Sequence, residues 1–187
     1  MRLFVALDLP AEVRDAIVRV TSSLRTKAPG ARWSKPESMH VTLEFLGETD
    51  ESLLPQIKIA LEHIVSSDTV SLSLRGVGFF PDEKRPRVMW CGVAASPNLP
   101  ELAATIEKSL HTLGFKPEDR PYVPHITLAR LNSARDVLKL VRAAAPLASY
   151  DFGAARASEF HLFESVLKPS GSEYQKLATF RFVKDAP

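Results

Sequence analysis

Cysteine is nearly absent: the 187 residues contain one, Cys91. An intrachain disulfide framework and a cysteine-rich zinc site are both excluded. Cys91 lies in the β-like run Val88-Met89-Trp90-Cys91-Gly92-Val93 and reads as a buried structural thiol. A large excess of one charge is missing too. Lysine and arginine number 24, aspartate and glutamate 22, for a net charge of +2. Attraction to a long nucleic acid would have to come from a local patch. No stretch approaches the roughly 20 apolar residues of a membrane-spanning helix. Asp8 comes too early for a signal-peptide core, so we expect a cytoplasmic protein. Hydrophobic residues make up 45% and charged residues 25%, ordinary values for a globular chain of one domain or two small intimate lobes.

What is present is a tetrapeptide that occurs twice. Residues 40–43 read His40-Val41-Thr42-Leu43, and residues 125–128 read His125-Ile126-Thr127-Leu128. Alternate residues of a strand share a face. His40 and Thr42 should therefore line one face of one strand, and His125 and Thr127 one face of another. Val41, Leu43, Ile126 and Leu128 should point into a core.

The surrounding pattern also repeats. Leu3–Leu9 reads as a strand ended by Pro10, and Val13, Ile17, Val20 and Leu24 then recur at helical spacing. Pro29-Gly30 stops that helix, and Arg32-Trp33-Ser34 reads as a short extended segment before the first motif, which closes at Gly47. Leu53, Leu54, Ile57, Leu61 and Ile64 mark a second helix, and Val70 to Leu74 alternates as a half-buried strand. Gly76 to Arg87 reads as a loop carrying Phe79, Phe80, Lys84, Arg85 and Arg87. It is either a place where rings and cations meet an RNA end, or a solvated turn with both rings in the core. Val88–Val93 is the next strand. A helix opened by Pro97 and Pro100 follows, with Leu102, Ile106, Leu110 and Leu113 on its apolar face and Gly114 as its cap. After the second motif, Val137, Leu138 and Val141 mark a fourth helix ended by Pro146. Phe160–Phe163 and Leu177–Val183 are strand candidates, with a turn at Pro169 and Gly171.

The order strand, helix, histidine strand, helix, strand thus occurs twice, at an offset of 125 − 40 = 85 residues. A duplicated unit implies two lobes related by a pseudo-two-fold, with the motifs facing each other. The fold class expected is α+β, with antiparallel-rich sheets lining a central groove and helices outside.

Two imidazoles and two hydroxyls in one groove suit chemistry at phosphorus. A histidine titrates near neutral pH, so one can take a proton while another gives one. Thr42, Thr127 and a nearby arginine would hold the charged oxygens. Zinc is the competing reading, but a tetrahedral site wants a third protein ligand. His63 and His111 read as surface residues on helices, and His161 has no partner motif, so no metal is expected. Trp33 and Tyr122, just before the two motifs, are candidates for stacking on a base or for the core. By strand parity Arg130 falls on the face of Ile126 and Leu128, and reaches the groove only if the strand bulges or ends at Ala129.

At these residues the chain resembles the 2H phosphoesterases, and within them the RNA 2′,3′-cyclic phosphodiesterases, also called 2′-5′ RNA ligases. The resemblance runs through Arg2-Leu3-Phe4-Val5-Ala6, His40 to Gly47, Phe80-Pro81, Arg85-Pro86-Arg87-Val88 with Trp90, and Pro124 to Arg130. It ends in Ser165-Val166-Leu167, Gly171 and Tyr174. It implies a single 2H phosphoesterase domain over residues 1–187, with both motifs in one groove. It implies hydrolysis of terminal RNA 2′,3′-cyclic phosphates to 2′-phosphates without a metal or other cofactor. His40 would be the proton donor, His125 the proton acceptor, and Thr42, Thr127 and Arg130 the phosphate contacts. Phe45, the repeat partner of Arg130, would touch the nucleotide. The partners implied are RNA ends, tRNA fragments or small cyclic nucleotides, met by a monomer. The rival readings are an ATP-independent 2′-5′ ligase, a phosphodiesterase for a small cyclic nucleotide, and an RNA-end binding module without turnover.

Overall fold

A computed structural model describes residues 1–64, 69–95, 98–117, 120–131, 137–168 and 171–182. Pro97, Pro169 and Val183, assigned above to a helix start, a turn and a strand end, lie outside these residues. The chain folds in the α+β class, from nine strands and four α-helices among the described residues. Strand β1 (Arg2–Asp8) is followed by α1 (Ala11–Arg25), which starts directly after Pro10 and buries Val13, Ile17, Thr21 and Leu24. The short β2 (Arg32–Trp33) leads through a single 3₁₀ turn (Pro36–Ser38) into β3 (His40–Glu48), then α2 (Leu54–Glu62). Next come β4 (Val70–Phe80), β5 (Val88–Ala95), α3 (Asn98–His111) and β6 (His125–Arg130). The chain closes with α4 (Val137–Ala144), β7 (Asp151–Ala157), β8 (Glu159–Lys168) and β9 (Gly171–Arg181).

The strands form two antiparallel sheets, ordered β3-β1-β8-β9 and β2-β6-β5-β4-β7. Each sheet draws on both halves of the chain: β8 pairs with β1, and β4 pairs with β5. Each also holds one histidine strand, and β3 lies against β6 where the sheets meet. The buried sides of both sheets and the apolar faces of the helices share one core, which includes Leu7, Ile17, Val41, Ile57, Leu74, Ile106, Ile126 and Phe160. Burying these side chains, at about 1.5–3 kcal/mol each, holds the two sheets on one scaffold. None of the helices described is long and apolar enough to cross a membrane.

Three expectations change. The segment from Gly76 is not all loop, because β4 continues to Phe80 and the connection shrinks to residues 81–87. Phe79 enters the core, while Lys84 and Arg85 stay exposed on a turn whose Asp82 carboxylate accepts from both of their backbone N–H groups. Strand β7 has no counterpart in the pattern reading. Its segment Asp151-Phe152-Gly153-Ala154-Ala155-Arg156-Ala157 is poor in β formers and is recruited by pairing along β4. Leu138 is exposed, and α4 instead buries Leu140 and Ala144.

Cys91 is fully buried in the middle of the sheet, and that burial pushes its thiol up to about 12. Thiolate is the reactive form. A thiol reagent at pH 8 should therefore leave the folded protein unlabelled and react with one equivalent once urea unfolds it. Rapid labelling of the native protein would contradict this packing.

Candidate active site

Pairing between strands decides which side chains share the groove. In β3 the register runs Ala6↔Thr42 and then Val5↔Glu44, so Leu43 is an extra residue. In β6 it runs Trp90↔Thr127 and then Met89↔Ala129, so Leu128 is extra. Leu43 and Leu128 are separated by the same 85 residues as His40 and His125. A bulge of this kind shifts the alternation of faces. Leu128 and Ala129 are consecutively buried, and the next residue, Arg130, returns to the face of His125 and Thr127. Its charge acts on both His40 and His125. Phe45 follows the equivalent bulge in β3. It is 60% exposed, with its ring 6.1 Å from that of Phe4.

The register also refines the repeat. Asp8 stands opposite His40 and Gly92 opposite His125, so the first strands of the two halves match at 92 − 8 = 84. Trp90 thereby corresponds to Ala6.

The two imidazoles are held alike. His40 Nδ1 lies 2.7 Å from the carbonyl oxygen of Ser38, and His125 Nδ1 lies 2.7 Å from that of Val123. A carbonyl only accepts, so each Nδ1 carries the proton and donates it. The neutral tautomer thus leaves Nε2 with a lone pair. Both pKa values lie below the ordinary value of 6.5. For His40 burial is the main cause, and His125 and Arg130 add to it, against upward pulls from the Ser38 carbonyl and Asp8. For His125 burial again leads, opposed by the Val123 carbonyl and reinforced by Arg130. Because β3 lies against β6, the two imidazoles face one groove.

Their surroundings differ. Around His40 stand Phe4 at 4.8 Å between ring centres and Tyr174 at 5.1 Å, edge-on, with Phe163 stacked on Phe4. His125 meets Phe80 edge-on at 5.0 Å, and Phe80 meets Trp90 at 5.2 Å. The Trp90 indole lies across its sheet because two neighbours lack side chains. A Cβ on Gly78 would come within 2.2 Å of the indole, and one on Gly92 would sit 3.3 Å from it and 2.6 Å from the Arg75 carbonyl oxygen. The indole N–H finds no acceptor among the described residues, a cost of about 1–3 kcal/mol that the ring's packing must offset.

Thr42 and Thr127 are half-buried on the histidine faces. Tyr122 donates its hydroxyl to the Thr42 carbonyl oxygen at 2.9 Å, tying the approach to β6 onto β3. Burial raises its pKa, so the hydroxyl stays a donor at neutral pH. Trp33 is turned toward the core: its N–H donates to the Ala28 carbonyl oxygen at 3.2 Å, and Arg25 lies over its ring. The structure does not bring Trp33 to the histidines.

Sequence reading missed a polar cluster beside His40, built around one buried histidine, His161. Lys176 Nζ lies 2.8 Å from Asp8 Oδ2 and 3.3 Å from Nε2 of His161, which is 1% exposed. His161 Nδ1 faces the Thr179 hydroxyl at 3.0 Å, and Glu159 lies 3.6 Å from Nε2. Burial and then Lys176 lower the pKa of His161, against Asp8 and Glu159. A signal was available in the strand pattern, since Asp8 ends β1 opposite the motif histidine. His63 and His111 are exposed. No group of three metal-binding side chains occurs among the described residues.

This geometry has counterparts. The family model described as LigT like Phosphoesterase matches residues 7–90 and 93–174. The chain is 35% identical over 175 residues to the RNA 2′,3′-cyclic phosphodiesterase of Methanocaldococcus jannaschii, covering 94% of this chain and 97% of that protein. Among solved structures it resembles TT0787 of Thermus thermophilus, with a TM-score of 0.83 and 32% identity over the whole of both chains. It also resembles E. coli LigT complexed with 3′-AMP, with a TM-score of 0.80, 26% identity and 98% of each chain covered.

Replacing Gly78 with alanine should displace the Trp90 indole and disturb the Phe80 ring against His125. Overpacking of this sort costs about 1–3 kcal/mol. We expect a lower urea midpoint and a shift in tryptophan emission. A variant with unchanged stability and emission would show that the indole does not depend on the missing side chain.

Proposed function

Because this chain belongs to the LigT-like 2H phosphoesterase family, we propose that it hydrolyses RNA ends carrying a 2′,3′-cyclic phosphate to 2′-phosphates. One observation carries the reading: two imidazoles in one site, each with Nδ1–H anchored on a backbone carbonyl and Nε2 left for chemistry. Water attacks phosphorus and loses its proton to His125 Nε2. The bond from phosphorus to O3′ breaks, and O3′ takes a proton from Nε2 of protonated His40. The phosphate leaves as a 2′-monoester, and solvent restores the two protonation states. Thr42, Thr127 and Arg130 hold the non-bridging oxygens, where charge builds in the transition state.

Electrostatic asymmetry supports the order of roles. Asp8 pulls the pKa of His40 upward, as suits a proton donor, while no carboxylate does so for His125. The curated relative's name, RNA 2′,3′-cyclic phosphodiesterase, supports the substrate. The two sheets, each with a histidine strand, support one phosphoesterase unit built of two lobes.

The first test is product analysis, in EDTA, of a short RNA ending in a 2′,3′-cyclic phosphate. Conversion to the 2′-phosphate is expected, and a 3′-phosphate product would reverse the two roles. His40→Ala and His125→Ala should each lower turnover by about 10²–10⁴-fold while leaving the circular dichroism spectrum unchanged. Full turnover in either would end the assignment.

The pH profile supplies a second test. The base must be neutral and the acid protonated, so activity rises through the pKa of His125 and falls through that of His40. Both lie below 6.5 in the free protein. The bell in kcat/KM should therefore centre on the acid side of neutrality. Bound phosphate anion raises both pKa values, so the bell in kcat should lie at higher pH. A kcat/KM optimum above pH 8 would contradict the assignment.

A further inference from the structure

Strand β2 carries a second arginine into the groove. Arg32 stands directly opposite Arg130 in the β2–β6 pair, and Trp33 stands opposite the buried Ala129. Residues opposite each other in an antiparallel pair point to the same face. Arg130 is returned to the histidine face by the bulge at Leu128, so Arg32 shares that face one strand further out. Both arginines are exposed, and neither forms an ion pair with a described residue. The row continues through Val88 to Phe80. Two like charges set directly opposite destabilise a strand pair. Anions bound between them would offset that repulsion, and two forked guanidinium groups take phosphates well.

We propose that Arg32 and Arg130 form a two-phosphate subsite. Arg130 takes the reacting cyclic phosphate, and Arg32 takes the phosphate on the 5′ side of the terminal nucleoside. The substrate this subsite selects is a polynucleotide end, because a mononucleotide 2′,3′-cyclic phosphate has no second phosphate for Arg32. The inference rests on the reading of the groove as a cyclic-phosphate site, and its test separates the two.

The experiment compares a trinucleotide ending in a 2′,3′-cyclic phosphate with the matching mononucleotide. The wild-type protein should favour the trinucleotide in kcat/KM. Arg32→Gln should reduce that preference about tenfold, as expected for one lost charge-assisted contact. Arg32→Lys should retain part of it. Trinucleotide binding, read by fluorescence anisotropy, should lose about 0.7 from the slope of log K against log salt in Arg32→Gln. An unchanged preference and an unchanged slope would overturn the proposal. If the wild-type protein hydrolyses neither substrate, the assigned reaction fails, and the salt slope still decides whether Arg32 meets a phosphate.

Discussion

Each histidine strand carries an extra residue three positions after its histidine, Leu43 in β3 and Leu128 in β6, and the composition of the groove depends on it. Strict alternation would send Arg130 behind the sheet with Ile126 and Leu128. The bulge at Leu128 buries two residues in succession and brings Arg130 round to the histidines. The bulge at Leu43 does the same for Phe45. Bulges are known to re-aim side chains. Here the same device sits at the matching place in both halves, so the third groove position falls to Phe45 and Arg130 where the pleat alone would give Glu44 and Ala129.

Burial and anchoring then set the protonation of the two imidazoles. A carbonyl two residues upstream of each histidine holds Nδ1–H and leaves the Nε2 lone pair free of the backbone. Low solvation favours the neutral ring, which is the form a base needs. The protonated ring that the proposed acid needs is favoured by a nearby anion, and Asp8 is that anion at His40. That carboxylate is itself held by Lys176, which also lies beside His161. The charge next to His40 is thus fixed in place by strands β1, β8 and β9 together.

Much of this was legible in residue order. Alternation at His40-Val41-Thr42-Leu43 and its repeat located both strands and their buried faces. Helices α1 and α3 followed from apolar spacing, and Cys91 from its β-rich neighbours. What the sequence hid depends on partners. Strand β7 is made by its pairing with β4 and has little propensity of its own. Phe80 read as loop because Gly76 and Gly78 precede it, yet Gly78 is there to let Trp90 lie flat beside it. Tyr122 and Trp33 were equivalent by position, and only their hydrogen bonds separate them. The parity of Arg130 could be stated as a condition, but pairing with β5 was needed to decide it.

The two walls of the groove have the same frame and opposite surfaces. At the position after the bulge, β3 presents an aromatic ring, Phe45, and β6 presents a cation, Arg130. The wall around His40 continues the aromatic character with Phe4, Phe163 and Tyr174. The wall around His125 adds a second cation through Arg32. A nucleotide is itself two-sided, a flat base at one end and charged oxygens at the other. A groove with rings on one wall and guanidinium groups on the other gives such a molecule one favourable orientation. In the proposed reaction, that orientation would fix which oxygen of a cyclic phosphate faces which histidine. The proposed division into acid and base needs the two motifs to differ. The divergence of Phe45 from Arg130, together with Asp8 beside only one imidazole, breaks the symmetry that duplication would otherwise impose.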